Sequence, residues 1–596
     1  MLMNKNVKVI LLATILWLSV ANISNACTNL LISRGATTDS ACYISYAADS
    51  HTLYGELYYW AAADHTVPSF MDIYEWDTGK FLGKINQIAH TFNVVGNMNE
   101  YQVAIGETTF GGLDSLQSQP AATIDYGSLI YIALQRSKTA REAIKVMAEL
   151  VAQYGYASEG ESFSISDPNE VWIFEMIGKG KPYIPLSQVV KKNAKKLDSK
   201  GAVWVAVRIP DGCISGHANH ARINFFTPEN LKTSVSSKNL DKIFIPTVEF
   251  IYAADVISFA REKGYYNGKD ADFSFSDVYN PIWDANGKMK DYGGLRFCEA
   301  RVWSAFRRVN KDMDKYFSYI NGDSKDRMPL YIKPDNKLSL KDVIALMRDH
   351  FEGTPYDMTL GVGAGPFKCP YRWRPMEWKA FNGKDTLEYL HERAVSTQQT
   401  GFSFVAQSRR YLPNPIGGIL WFGVDDTYST VYSPMYCGIT KVPDTFREGN
   451  GSITEFTWNS AFWVFNWVAN YAYSRYSDMI VDIKKKQSSM ENNYMEMVQA
   501  YDLKASNLYK TSPQQAIEMI TQFSTQQGDK TTKEWEKLGQ YLLVKYMDGN
   551  VKNEKDGKFE LNGTEHPLGK HPKQPPYPAD WYKRIVDETK DTKLMK

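Results

Sequence analysis

In "ACTNLLISRGATTDSACYISYAADS", residues 26–50, an apolar run (27–33), a cluster of turn formers (34–40) and a second strand-like run (41–50) follow one another. That order reads as a β-hairpin. With the turn centred near Thr37, antiparallel pairing lays Cys27 opposite roughly Ala47. Asp49 then comes within about two residues of the start of the first strand, at ~3.3 Å per residue. A carboxylate is thereby set beside a cysteine.

What precedes the cysteine decides its chemistry. Lys5 and Lys8 give a positive start, residues 9–21 ("VILLATILWLSVA") an apolar run, and Ser24-Asn25-Ala26 a small-residue junction. Residues 1–26 therefore read as an export signal removed before Cys27, placing the mature protein outside the cytoplasm, periplasmic or extracellular. The run is shorter than the ~20 residues a spanning helix needs, and no later segment reaches ~18 uninterrupted apolar residues, so no stable membrane insertion is expected after processing. A cysteine made N-terminal carries its own base, because its α-amine (reference pKa near ~8) can take the thiol's proton. The thiolate would attack an amide carbonyl, preorganised donors would hold the oxyanion, and water would release the acyl group from the thioester. Asp49 would orient the amine. Three other readings of Cys27 stay open: a lipid-modified cysteine, although Ser24 stands where a lipoprotein signal usually has a larger apolar residue; a disulfide with Cys42; and no role at all.

Composition narrows the partners. With 68 basic and 67 acidic residues the formal net charge is +1, which gives no electrostatic case for nucleic acid or an anionic membrane. A small or neutral partner, such as a short peptide, fits better, and a homo-oligomer is compatible. The chain of 596 residues, 43% hydrophobic, can bury a large core. Its six cysteines lack metal-site spacing, and His217 and His220 in "HANH" have no nearby Cys, Asp or Glu to complete a zinc set. "GVGAGP" (361–366) lacks the dinucleotide spacing. No cofactor and no metal are expected.

Along the chain, "NEYQVAIGETTF" reads as a strand and residues 125–155 as two helices, the second opened by the capping box Thr139-x-x-Glu142. "SFSISDPNEVWIFEM" reads as two strands around Asp167, followed by the strand "AVWVAVRI". Residues 338–351 read as a helix, "GILWFGVDD" and "TVYSPMYCGI" as later strands, and "FWVFNW" (462–467) as core. From about residue 484 the chain turns charged and helical, with Ser512 as a cap, Pro513 opening a helix, and Ala516, Met519, Ile520 and Phe523 on one face. A Pro-rich stretch, 565–584, closes it. The class is α+β.

The first hairpin together with "NMNEYQVAIGETTF", "DYGSLIYIALQRSKTAREAI", "SISDPNEVWIFEM", "HFEGTPYDMT", "YSPMYCGIT" and "TWNSAFWVFNWVAN" resembles the C69 family of dipeptidases, in the N-terminal nucleophile hydrolase superfamily. The resemblance implies an αββα four-layer sandwich over residues 27–480, with a helical and Pro-rich extension over 481–596. It implies a cysteine-type exopeptidase with Cys27 as nucleophile, Asp49 positioning it, Asn99 and Asn219 as oxyanion donors, and Arg222 as a site arginine. Turn formation is the competing reading of both asparagines. One departure stands out. Relatives often carry an arginine three residues before the aspartate, where this chain has Tyr46, so either a phenol serves there, or another cation such as Arg222 or Arg34 replaces it, or activity is altered. The substrate's ammonium would meet Asp49 or an acid of "HFEGTPYD", Glu352 or Asp357. An amidase for another acyl group, or a non-catalytic surface lipoprotein, remains possible on the same scaffold.

Overall fold

A computed structural model describes residues 27–590 except 118, 189–195, 197, 198 and 564–567. The export signal thus lies outside the described residues, as does part of the Pro-rich stretch.

The opening hairpin forms as its pattern predicts. β1 (Thr28–Ile32) and β2 (Cys42–Asp49) pair antiparallel, joined through a 3-10 turn at Arg34–Ala36. The register pairs Thr28 with Ala47, one residue from the expected alignment, so Cys27 falls beside Ala48 and next to Asp49. Both strands are buried throughout, and burying Leu30, Leu31, Ile32 and Ile44 stabilises the hairpin by ~1.5–3 kcal/mol per side chain.

Around this hairpin grow two main sheets. The other strands they use are β3 (Tyr59–Trp60), β4 (Val94–Val95), β5 (Met98–Asn99), β6 (Ala104–Gly111), β7 (Gly160–Ser166), β8 (Val171–Gly178), β9 (Ala202–Arg208), β10 (Ile214–His217), β11 (Ser234–Ser236), β12 (Phe250–Tyr252), β13 (Tyr331–Ile332), β14 (Thr400–Ser408), β15 (Gly418–Val424) and β16 (Ser433–Tyr436). The seven-stranded sheet runs β13-β10-β1-β2-β14-β15-β16, which makes the hairpin its centre. The nine-stranded sheet runs β11-β12-β9-β8-β7-β6-β5-β4-β3. β1 and β2 pack against β6, β7 and β8. Gly106 lets them approach, because a Cβ there would lie 2.8 Å from Asn29 Nδ2 and 3.2 Å from Tyr46 Cβ.

Helices flank the sheets. α1 (Tyr126–Arg136) and α2 (Ala140–Tyr154) pack on the nine-stranded sheet. Thr139 caps α2 by accepting from Glu142 N, but Glu142 Oε2 takes the Lys138 N–H, so the expected box closes one residue early. α4 (Ala461–Tyr473), α5 (Tyr476–Tyr509) and α6 (Pro513–Lys545) cover the β15–β16 end of the other sheet. "FWVFNW" is core at Phe462, Val464 and Phe465, the last stacked on buried Trp535 of α6. Ala516, Ile520 and Phe523 face inward from α6, and Ser512 makes no side-chain cap. The expected boundary at residue 480 falls inside α5, whose Glu491 pairs with Arg348 at 2.5 Å. The helix expected over 338–351 is shorter, Leu340–Leu346, because Ser339 and Asp342 close a capping box at its start and Met347 ends it. The result is a mixed α+β body with Cys27 at the head of a central, buried strand.

Candidate active site

Strand alternation aims the cysteine. Cys27, Asn29 and Leu31 share one face of β1, and Asn29 is opposite Tyr46 on β2. The Cys27 sulfur, in a residue only 6% exposed, accordingly lies 3.7 Å from the Tyr46 hydroxyl and 3.9 Å from Glu107 Oε1. Tyr46 also hydrogen-bonds Glu107 Oε1. Glu107 comes from β6 beyond the single pair Ala104–Met98, where β5 stops pairing and leaves the strand edge open. With its amide turned so that both ends are satisfied, Asn29 fills that edge. It accepts from Glu107 N at 3.0 Å and donates to Glu107 O at 3.1 Å. Behind Glu107, at the diagonal position on β7, stands Glu161, held by Thr109 at 2.8 Å.

On the other side of the cysteine are Asp49 and a group of arginines. Asp49 is 1% exposed; its Oδ1 accepts from Thr400 Oγ1 at 2.6 Å, and its Oδ2 lies 4.0 Å from Arg393 and accepts no hydrogen bond among the described residues. Arg301 enters from α3 (Ala300–Val309), anchored by Nε to the Phe297 carbonyl (2.5 Å) in the π-helical turn Gly294–Glu299. Its Nη1 donates to the Cys27 carbonyl and to Thr28 Oγ1, both at 2.7 Å. Its Nη2 donates to Asn219 Oδ1 at 2.9 Å. Asn219, in the left-handed region (φ 59°) that asparagine tolerates, gives one amide hydrogen to Thr109 O at 2.7 Å.

The protonation states follow from burial. Burial, reinforced by the charges of Glu107 and Asp49, pushes the Cys27 thiol well above its ordinary range; hydrogen bonds from the Asp49 backbone and Tyr46 oppose this. Burial raises the Asp49 carboxyl to about 7 although Arg393, Thr400 and more distant arginines pull it down. Glu107 is also raised to about 7 by burial, and burial together with the charge of Glu107 pushes Glu161 well above the ordinary carboxylate range.

The structure brings Cys27, Asp49 and Asn219 together and leaves two expected residues elsewhere. Asn99 gives both amide hydrogens to the carbonyls of Leu134 and Ser137 (2.7 Å each), and its Oδ1 accepts from Tyr101 N and Val103 N (3.0 Å each). It locks the turn after β5 and has no donor left for an oxyanion. Arg222 is buried against Glu299 (2.8 Å), the carbonyls of Gly216, Leu330 and Pro329, and the Phe306 ring. Among the described residues these contacts take up the guanidinium. Arg34 pairs with Asp211 (3.7 Å) at the far end of the hairpin. The phenol of Tyr46 stands beside the sulfur instead. Glu352 holds His350 (3.1 Å) and Asp357 holds its own loop at Gly353 and Thr359.

Cys27 and Cys42 start opposite ends of an antiparallel hairpin, and both thiols are free. His217 is held between Thr108 (2.7 Å) and Ser164 (2.8 Å), and no group of three metal-ligating side chains occurs among the described residues. No helix among them is long and apolar enough to cross a membrane. Sequence reasoning missed Glu107, Glu161 and Arg301. The sequence signal for the first two was the pair of acids on adjacent, otherwise uncharged strands, in "AIGETTF" and "GESFSIS".

The model of peptidase family C69 matches residues 68–489. A probable dipeptidase of Latilactobacillus sakei is 23% identical over 473 residues, 76% of this chain and 82% of that protein. One of Salmonella dublin is 22% identical over 430 residues, covering 70% and 81%. A probable dipeptidase B of Streptococcus pyogenes serotype M1 is 19% identical over 570 residues, covering 92% and 99%.

Proposed function

The chain belongs to peptidase family C69, and from that premise we propose that it is an exported cysteine dipeptidase whose nucleophile is Cys27, made N-terminal by removal of residues 1–26. The observation that carries this reading is the position of the Cys27 sulfur at the head of a central strand, with Tyr46 and Glu107 on one side and its own carbonyl held by Arg301. The order helices, sheet, sheet, helices agrees with an N-terminal nucleophile hydrolase sandwich.

In the proposed reaction the freed α-amine of Cys27 takes the thiol's proton, directly or through one water. The sulfur bonds to the carbonyl carbon of a bound dipeptide. Asn219 Nδ2, polarised by Arg301 on its Oδ1, offers its second hydrogen to the oxyanion. The ammonium of Cys27 then protonates the departing nitrogen as the carbon–nitrogen bond breaks. Water, deprotonated by the same amine, attacks the thioester and restores the thiol. Asp49 Oδ2, which accepts nothing in the described contacts, is the acceptor for the Cys27 ammonium. Among the expected site residues, Cys27, Asp49 and Asn219 keep roles in this scheme, with Arg301 as a positioning residue; Asn99 and Arg222 have none.

Replacing Cys27 with Ser tests the nucleophile. A hydroxyl is far less ionised than a thiol near neutral pH, so dipeptide turnover should fall by ~10³-fold or more with the fold unchanged. Near-normal turnover by that variant would remove Cys27 from the mechanism.

A further inference from the structure

Glu107 and Glu161 form a pair of carboxyls buried beside the nucleophile without a cation. Neither joins an arginine or lysine in an ion pair among the described residues, and the second oxygen of each finds no donor from the protein. The two side chains occupy diagonal positions on paired strands, and burial pushes both carboxyls up, so the pair favours holding one proton and a single negative charge. A buried net charge of this kind is costly unless something compensates it. Tyr46 donates to Glu107 Oε1 and so fixes the carboxyl with that same oxygen 3.9 Å from the Cys27 sulfur, while Oε2 is the oxygen left without a donor.

We infer that Glu107, backed by Glu161 and oriented by Tyr46, is the subsite for the free α-ammonium of the residue whose carbonyl Cys27 attacks. The inference rests on the dipeptidase reading and assigns the amine to a site that reading does not specify. In an amino acid the ammonium nitrogen is ~2.5 Å from the carbonyl carbon, two bonds away, so an acceptor just beyond the attacking sulfur is within its reach. One ammonium carries one positive charge, which matches the charge of the singly protonated pair. On binding, it forms charge-assisted hydrogen bonds to the ionised carboxyl while the partner keeps its proton, and it pulls Glu107 down from its raised value of about 7, so chains in which Glu107 was still protonated release that proton. Asp49 stays with the amine of Cys27 on the arginine-lined side, so the two amines of the reaction meet two different acids. The ligand class is a peptide or amino-acid amide with an unblocked amine; acetylation or removal of that amine leaves the carboxyls without a partner.

Binding is measured by calorimetry on the exported Cys27→Ala chain, with a panel of free dipeptides and their desamino and N-acetyl analogues, and turnover is measured in parallel on the wild type. The free dipeptides should bind at least ~30-fold more tightly than the analogues, and Glu107→Gln should erase the difference while leaving the analogues within ~3-fold. Should Glu107→Gln fail to fold, the chain with Glu107 intact gives a second readout. Between pH 6 and 7 a free dipeptide should release protons on binding, seen as a heat that depends on buffer ionisation, and a desamino analogue should not. Equal affinity for free and blocked ligands, no binding of any free dipeptide, or a Glu107→Gln loss shared equally by both classes overturns the subsite. If the wild type cleaves dipeptides but ignores the amine, the subsite falls and the reaction stands. If the Cys27→Ala chain selects the amine through Glu107 but the wild type cleaves nothing, the subsite stands and the reaction falls.

Discussion

The Tyr46 hydroxyl lies 3.7 Å from Cys27 Sγ, and it bridges the sulfur to Glu107. Its one hydrogen goes to Glu107 Oε1 while the sulfur is a thiol and can turn to the sulfur once the thiolate forms, but it brings no charge. Burial, with the charges of Glu107 and Asp49, therefore keeps the thiol above its ordinary range despite that donor, and a second group has to take its proton.

Tyr46→Phe isolates that donor, because the ring keeps its edge-on packing against Phe402 and Phe404. A hydrogen bond to a charged group is worth ~1.5–3 kcal/mol, so kcat/KM should fall ~10- to 100-fold. The thiolate loses a stabilising donor, so the pH profile of Cys27 alkylation by iodoacetamide should move to higher pH. An unmoved profile, read by mass spectrometry of the labelled peptide, would uncouple the phenol from the sulfur.

The two asparagines should behave in opposite ways. Asn219→Ala removes the proposed oxyanion donor next to Cys27 and should cut kcat by ~10²-fold or more, with a small change in melting temperature. Asn99→Ala strips four hydrogen bonds from a buried turn and should destabilise by ~2–5 kcal/mol, while the folded fraction keeps its turnover. Thermal unfolding and single-turnover kinetics on both variants check the contrast; an inactive but stable Asn99→Ala would return that residue to the site.

These contrasts show what a linear reading can reach. The hairpin was legible because turn formers at 34–40 separate two apolar runs, and with it came the closeness of Cys27 to Asp49. Asn99 and Arg222 matched motifs by residue type, yet their hydrogen-bonding capacity is consumed by carbonyls and by a buried glutamate that only the folded chain assembles. Glu107 and Glu161 are 54 residues apart and meet because β6 and β7 pair with Thr109 opposite Glu161, a register that neither strand announces alone. Arg301 sits in "EARVWSAFRR", which reads as an ordinary amphipathic helix; the π turn before it aims the guanidinium at Cys27. The helix at 338–351 was overextended because its apolar spacing continues past the point where Met347 ends it.

A buried acid with no part in the proposed reaction offers a test of the electrostatics. Burial, with the charge of Asp426 beside it, raises the Asp425 carboxyl to about 8, against about 4 in an unfolded chain. A carboxyl with a raised folded pKa favours the folded state fully below the unfolded value and loses that contribution as pH climbs through the folded one. Asp425→Asn keeps the Asn466 contact and suits the left-handed backbone (φ 64°), but cannot ionise. Relative to wild type, the variant should gain melting temperature progressively between pH 4 and 8. A difference that stays constant across that window would contradict the assignment.

The central claim is that Cys27 works as a free N-terminal nucleophile, because as an internal residue its nitrogen is a peptide amide that cannot accept the thiol's proton. The direct measurement is dipeptide turnover by the purified full-length chain, followed while residues 1–26 are removed and the N-terminus is monitored by intact mass. Turnover should be absent at first and should rise in proportion to the fraction of chains that begin with an unmodified Cys27. A precursor that still begins at Met1 and turns over dipeptide as fast as the processed chain would contradict the account.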